Sequence, residues 1–221
     1  GVLSLLDPLL IGIPQVFNRV SHALELPVRL SLIKRVASGL RPRRQGSGVR
    51  APHAGTLPIV HSGELGDFEY GNPSPEGGEV SFQAIKIAAQ LALDGQIAAI
   101  VTAPISKYSL HLAGHSYPGH TELLSSLTGT ENYAMMLLSG AYRVVLVTTH
   151  LPLREAAASI SEEKVFRTIE ITDAALRSHF KLPNPRIAVC SLNPHAGEQG
   201  IFGEEEKRAI SPAVSRASGK G

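Results

Sequence analysis

Apolar and polar residues follow two periods along this chain, and the two take turns. Helical spacing comes first. Val16, Phe17, Val20 and Leu24 recur at three- and four-residue steps over 14–25, with Pro14 suited to a first turn. β-like runs follow over 28–36 and 57–61. Between them, 40–55 (LRPRRQGSGVRAPHAG) breaks both periods and reads as a surface loop. After a Gly/Pro-rich connector over 66–78, VSFQAIKIAAQLAL (80–93) is a strongly amphipathic helix ending at Asp94 and Gly95. Beyond it, apolar strands are predicted over 97–102, 133–138, 142–148 and 186–191. Helical turns are predicted near 107–112 and 121–127, and a long helix over 161–180 opens with Ser161, Glu162 and Glu163 as cap and early negative charge. A last helix begins over 204–214. Strands alternating with helices predict an α/β fold with a largely parallel sheet.

Composition narrows the partners. With no Trp and 5% aromatic residues, the core must be filled by Leu, Ile, Val and Ala. The net charge of +2 is too small to argue for nucleic acid or a membrane surface. The arginines of 40–55 lack the interleaved aromatics that single-strand binding needs. No apolar run approaches the ~18 residues of a spanning helix. The apolar opening, 1–12, lacks a basic region and is interrupted by Asp7 and Pro8, so it does not read as a signal peptide. The single cysteine, Cys190, excludes an intramolecular disulfide and fits a reducing cytoplasm. Its place inside a predicted strand makes it an expected buried, inert thiol.

Three apolar runs end in polar, proline-bearing segments. The run 97–102 leads into Ala103, Pro104 and Lys107, 144–148 into Thr149, His150 and Pro152, and 186–190 into Asn193, Pro194, His195 and Gly197. In an open α/β sheet, ligands bind outside the carboxyl ends of the strands, so Lys107, His150 and His195 belong to one rim. Two histidines there suit metal ligation, acid/base catalysis or a structural role, and alone they leave a three-ligand metal site short. Pro118, Gly119, His120, Thr121 and Glu122 open another helix, where His120 and Thr121 either contact a substrate carboxylate or phosphate or belong to an N-cap after a Pro-Gly turn. The glycine-rich 197–206 is neither a dinucleotide fingerprint nor a P-loop. The remaining histidines read as solvated or packing residues.

VTAPISK (101–107), PGHTE (118–122), TTHLPL (148–153) and LNPHAGE (192–198) occur in the order and at about the spacing of motifs in the 4-hydroxythreonine-4-phosphate dehydrogenases, and the chain resembles that family over 70–212. PEGGEVSFQAIKIAAQLAL (75–93) and FGEEE (202–206) add to the likeness. The resemblance implies an isocitrate/isopropylmalate-dehydrogenase-like fold with two α/β subdomains, divided here at 1–104 and 105–221. It implies a cytoplasmic homodimer with active sites at its interface. The implied reaction is oxidation of 4-phosphohydroxy-L-threonine by NAD (or NADP), with decarboxylation, in pyridoxal phosphate (vitamin B6) biosynthesis. A divalent cation (zinc, magnesium or cobalt) holds the substrate. By motif, His150 and His195 look like two metal ligands, His120 and Thr121 like substrate contacts, and Lys107 like a catalytic residue near the substrate; no NAD-binding residue is assigned. The family also has a first strand with a Gly/Pro-rich turn, and farther on a third metal-binding histidine, further substrate contacts and much of the NAD site. The resemblance therefore implies part of the family fold, incomplete at both ends. The alternatives are a dehydrogenase of 4-phosphoerythronate or 4-phosphothreonate, and a catalytically inactive or binding-only remnant.

Overall fold

A computed structural model describes residues 6–33 and 55–220. The loop expected over 40–55 and His53 within it lie outside the described residues, apart from Gly55. Chain contacts divide the protein into two compact units, Gly1–Gly129 and Thr130–Gly221. The sequence reading put the division between 104 and 105.

In the first unit, strands β1 (Leu10–Gly12), β2 (Arg29–Ile33) and β3 (Thr56–His61) form a parallel sheet in the order β1-β3-β2. Helix α1 (Pro14–Ala23) connects the first two strands, with Pro14 in its first turn as the sequence predicts. The central strand β3 carries Ile59, which is fully buried. Helix α2 (Pro75–Leu93) packs on β1 and on two shorter helices, α3 (Lys107–Leu112) and α4 (His120–Thr128). It begins inside what reads as a connector, because Ser74 Oγ accepts a hydrogen bond from the Gly77 N–H at 3.0 Å and Pro75 suits a first turn. Its inner face buries Val80, Ile85, Ala88, Ala89 and Leu91, and Leu110 and Leu123 come in fully buried from α3 and α4. Each of those two leucines contributes about 1.5–3 kcal/mol of burial. Gly78 lets α2 and α3 touch backbone to backbone: an added Cβ there would lie 2.0 Å from the Ser109 carbonyl oxygen.

The second unit holds an antiparallel hairpin, β4 (Met135–Ser139) and β5 (Tyr142–Leu146), in the register Leu137↔Val144. It continues through α5 (Leu153–Ala158), α6 (Glu162–Ser178), a π turn (Glu206–Ile210) and α7 (Ser211–Ser218). Ser161 caps α6 as predicted, its Oγ accepting from the Lys164 N–H at 3.3 Å. The core is Val165 and Phe166 of α6 with Ala213 of α7, ringed by Val147, Ile160, Ile169, Val189, Ile210 and Ala217.

Two predicted strands do not form. Segments 97–102 and 186–191 have no ladder partner among the described residues and adopt no regular structure. An apolar run becomes a strand only when a neighbour satisfies its backbone groups. As a result Cys190, expected buried, is exposed. No helix among the described residues is long and apolar enough to cross a membrane.

Candidate functional site

The first unit contains a cleft of about 230 Å³, lined by Leu9, Ile11, Ser81, Ile85, most of 97–105 and His120. The lining is largely aliphatic, so the few polar groups that reach it decide what it binds. His120 opens α4, and its Nε2 is buried with no hydrogen-bond partner among the described residues. Leaving such an atom unpaired costs about 1–3 kcal/mol, which a bound ligand would remove. Gly119 offers no side chain to cap α4, so the positive end of the helix faces whatever approaches His120. Thr121 follows, half-buried, in the same turn. Glu122 Oε2 in that turn is also buried without a partner.

Lys107 does not line this cleft. Ile105 is the last residue of its segment to do so. Ser106 then caps α3, its Oγ accepting from the Ser109 N–H at 3.1 Å. Lys107 is the first residue of that helix, exposed and without an ion pair or hydrogen bond among the described residues. The turn before α4 is tied down by His115, whose Nε2 lies 2.8 Å from Glu79 Oε2 and whose ring stacks on Phe82 at 3.6 Å between centroids. The Gln83 amide donates to the other Glu79 oxygen at 2.7 Å. That hydrogen bond first, and His115 second, hold the Glu79 carboxyl below its usual range.

In the second unit, His150 and His195 share an unusual backbone. Both are left-handed, with φ of 56° and 53°, a region costing a non-glycine residue roughly 1–2 kcal/mol. The state continues through Ala196 (φ 53°), Gly197 (77°), Glu198 (40°) and Gln199 (57°), so the Pro194–Gly200 turn contains a left-handed run. Runs of this kind persist only where the surroundings over-determine them. Here the brace is Glu206, a buried carboxylate. Its Oε1 accepts from the N–H groups of Leu192 at 2.9 Å and Asn193 at 2.7 Å, and its Oε2 from Asn193 Nδ2 at 2.9 Å. The Asn193 backbone N–H, then the Asn193 amide, keep the Glu206 carboxyl below its usual range. Gly197 is required at its position: a Cβ there would meet Glu206 Oε2 and the Gly203 carbonyl oxygen, both at 2.9 Å.

Both imidazoles are exposed. Among the described residues, no group of three or more His, Cys, Asp or Glu side chains could hold a metal ion. Two imidazoles do not complete a divalent-cation site, which takes at least three protein ligands in catalytic form. Glu206 escapes local sequence reading because the partners that give it meaning lie 13 and 14 residues earlier.

Residues 4–221 match the family model described as pyridoxal phosphate biosynthetic protein PdxA. The chain belongs to this family. It is 47% identical over 169 residues to a 4-hydroxythreonine-4-phosphate dehydrogenase of Geobacter metallireducens, covering 76% of this chain and 50% of that protein. It is 45% identical over 154 residues to a D-threonate 4-phosphate dehydrogenase of Salmonella typhimurium, covering 70% of this chain and 47% of that protein. Among solved structures, a 4-hydroxythreonine-4-phosphate dehydrogenase from Klebsiella pneumoniae superposes with a TM-score of 0.80 at 37% identity, over 96% of this chain and 62% of that one. The chain thus spans about half the length of the curated relatives it matches. Its PdxA membership brings the isocitrate/isopropylmalate-dehydrogenase-like α/β fold expected from the sequence.

Proposed function

We propose that this PdxA-family chain carries part of the active site of a dehydrogenase that oxidises a small phosphorylated hydroxy acid, 4-phosphohydroxy-L-threonine in vitamin B6 biosynthesis. The observation that carries the reading is His120 Nε2, buried, unpartnered and lining a cleft at the start of a helix. An anionic substrate group fits that end of α4, where the free N–H groups and an imidazole N–H donate to it and Thr121 offers a hydroxyl.

Oxidation of a secondary alcohol sends a hydride to an acceptor and a proton to a base or solvent. NAD, or NADP, would supply the hydride acceptor. Lys107, exposed one residue beyond the Ser106 cap, is the proposed catalytic residue near the reacting carbon. His150 and His195 are proposed as two donors to a divalent cation such as zinc, magnesium or cobalt, whose coordination the described residues alone do not complete. A cytoplasmic homodimer is the assembly this reading implies.

D-threonate 4-phosphate is the alternative substrate, favoured by the 45% identity to an enzyme named for it. The test is formation of reduced nicotinamide by the purified chain with NAD, a divalent cation and each substrate in turn. His120→Ala is expected to lower kcat/KM about 10–100-fold, the value of a hydrogen bond to a charged group. Absence of turnover on either substrate by a folded sample sinks the reading for this chain and leaves the remnant alternative.

A further inference from the structure

Four residues of the Pro194–Gly200 turn, His195, Ala196, Glu198 and Gln199, carry side chains in a backbone state that favours glycine, and their own segment does not explain it. The bracing comes from the π turn that leads into α7. The buried Glu206 carboxylate accepts the N–H groups of Leu192 and Asn193, on the amino side of His195. On the other side, the same carboxylate fills the space where a Gly197 side chain would go, 2.9 Å from its Cβ position. Asn193 is held twice more, its Nδ2 donating to Glu206 Oε2 at 2.9 Å and to Glu205 Oε2 at 2.7 Å. Lys207 Nζ donates to the Gln199 carbonyl at the far end of the turn.

We propose that Glu206 is a positioning residue: its carboxylate locks the left-handed turn that presents His195 and so sets the competence of the site. The assignment rests on reading His195 as a site residue. A carboxylate suits the position because all three hydrogen bonds it makes with Leu192 and Asn193 come from N–H donors. A glutamine amide would turn its own N–H groups against one of them, since an ionised carboxylate only accepts and an amide nitrogen only donates.

The experiment compares Glu206→Gln, Ala196→Gly and the double variant, all in the full chain. Glycine takes positive φ without steric penalty, so Ala196→Gly eases the turn without restoring any bond to residue 206. Backbone ¹³Cα and ¹³Cβ shifts at 195–199 report the left-handed state whether or not the protein turns over. Glu206→Gln is expected to lose the left-handed shifts at His195 and to lower kcat by about a hundredfold, the scale of an ångström-level misplacement. The double variant should regain most of both, a rescue that a merely stabilising role would not give. Left-handed shifts that persist in Glu206→Gln, or lost turnover that Ala196→Gly fails to rescue, overturn the proposal. If Glu206→Gln does not fold, Glu206→Asp, which keeps the charge but shortens the reach, takes its place under the same readout. A wild-type chain without turnover overturns the dehydrogenase reading instead, and the shifts still decide the role of Glu206.

Discussion

Replacing Gly78 by alanine puts one methyl group where α2 and α3 leave no room. The new Cβ would lie 2.0 Å from the Ser109 carbonyl oxygen, 2.5 Å from its carbonyl carbon and 3.0 Å from Ala113 Cβ. Ordinary contact begins at 3.4 Å, so α3 must retreat by roughly 1.4 Å or α2 must bend. The obstacle is backbone, which no rotamer change relieves. Overpacking of this kind costs about 1–3 kcal/mol and occasionally more. Exchanging glycine for alanine inside a helix gives back about 1 kcal/mol. The net expectation is a loss of up to about 2 kcal/mol, and more only where α3 cannot yield.

Gly77→Ala is the internal control. It sits one residue earlier in the same helix, and its Cβ would meet only Ser74 Oγ at 3.3 Å. It should be neutral or stabilise by up to about 1 kcal/mol. Urea unfolding of both variants, with hydrogen exchange at the α3 amides, separates the two. Gly78→Ala should lower the midpoint and deprotect 107–112, and the shift of α3 should carry Lys107 with it. Equal midpoints for the two variants, with α3 protection unchanged, would refute the backbone contact on which the placement of α3 rests.

Phe166→Ala should destabilise the second unit by about 3–5 kcal/mol, because the ring is buried and also lies under the Arg216 guanidinium at 3.7 Å and Lys220 Nζ at 4.6 Å; a loss below 1 kcal/mol in urea unfolding would contradict that core. Glu79 has a folded pKa below its ordinary value, so its contribution is present above about pH 4.3 and fades as pH falls through the depressed value. Its side chain is 47% exposed, so Glu79→Gln should cost no more than about 1 kcal/mol at neutral pH, and the difference in melting should close in acid; a gap that widens there would reverse the sign. Cys190 is exposed and should label with a thiol reagent in the native protein about as fast as in urea, whereas protection until unfolding would return it to a strand interior.

Helices were the legible part of this fold. Pro14 and Ser161 each mark a helix start as read, whereas α2 starts at Pro75, within the expected connector; helix periodicity is a local property that needs no distant partner. Strands were legible only as apolar runs. The runs at 57–61 and 142–148 found neighbours and became β3 and β5. Those at 97–102 and 186–191 are equally apolar and found none among the described residues, and Val101 is left 93% exposed. Periodicity tells which residues want to be covered, not what covers them. The candidate site divides in the same way. The motifs named His120, His150 and His195 from sequence, but the missing partner of His120 Nε2 and the inward turn of Glu206 depend on contacts that no spacing rule contains.

Backbone conformation separates the motif residues from the background by a route independent of any resemblance. Seven non-glycine positions among the described residues have positive φ: Glu25, His150, Lys181, His195, Ala196, Glu198 and Gln199. Glu25 directly follows Leu24, the cap residue of α1, and Lys181 comes two residues after His179, the cap residue of α6. A left-handed residue just past a helix is an ordinary way to end one. The other five have no helix to terminate. All five lie within TTHLPL and LNPHAGE or directly after the latter. Histidine is among the residues enriched in that region, but Ala196, Glu198 and Gln199 have no such tolerance, so residue type does not account for those three. Selection for stability alone would place glycine at such positions, as it does at Gly197. Five non-glycine residues, two of them histidines, stand there instead at that cost, which supports the roles proposed for His150 and His195.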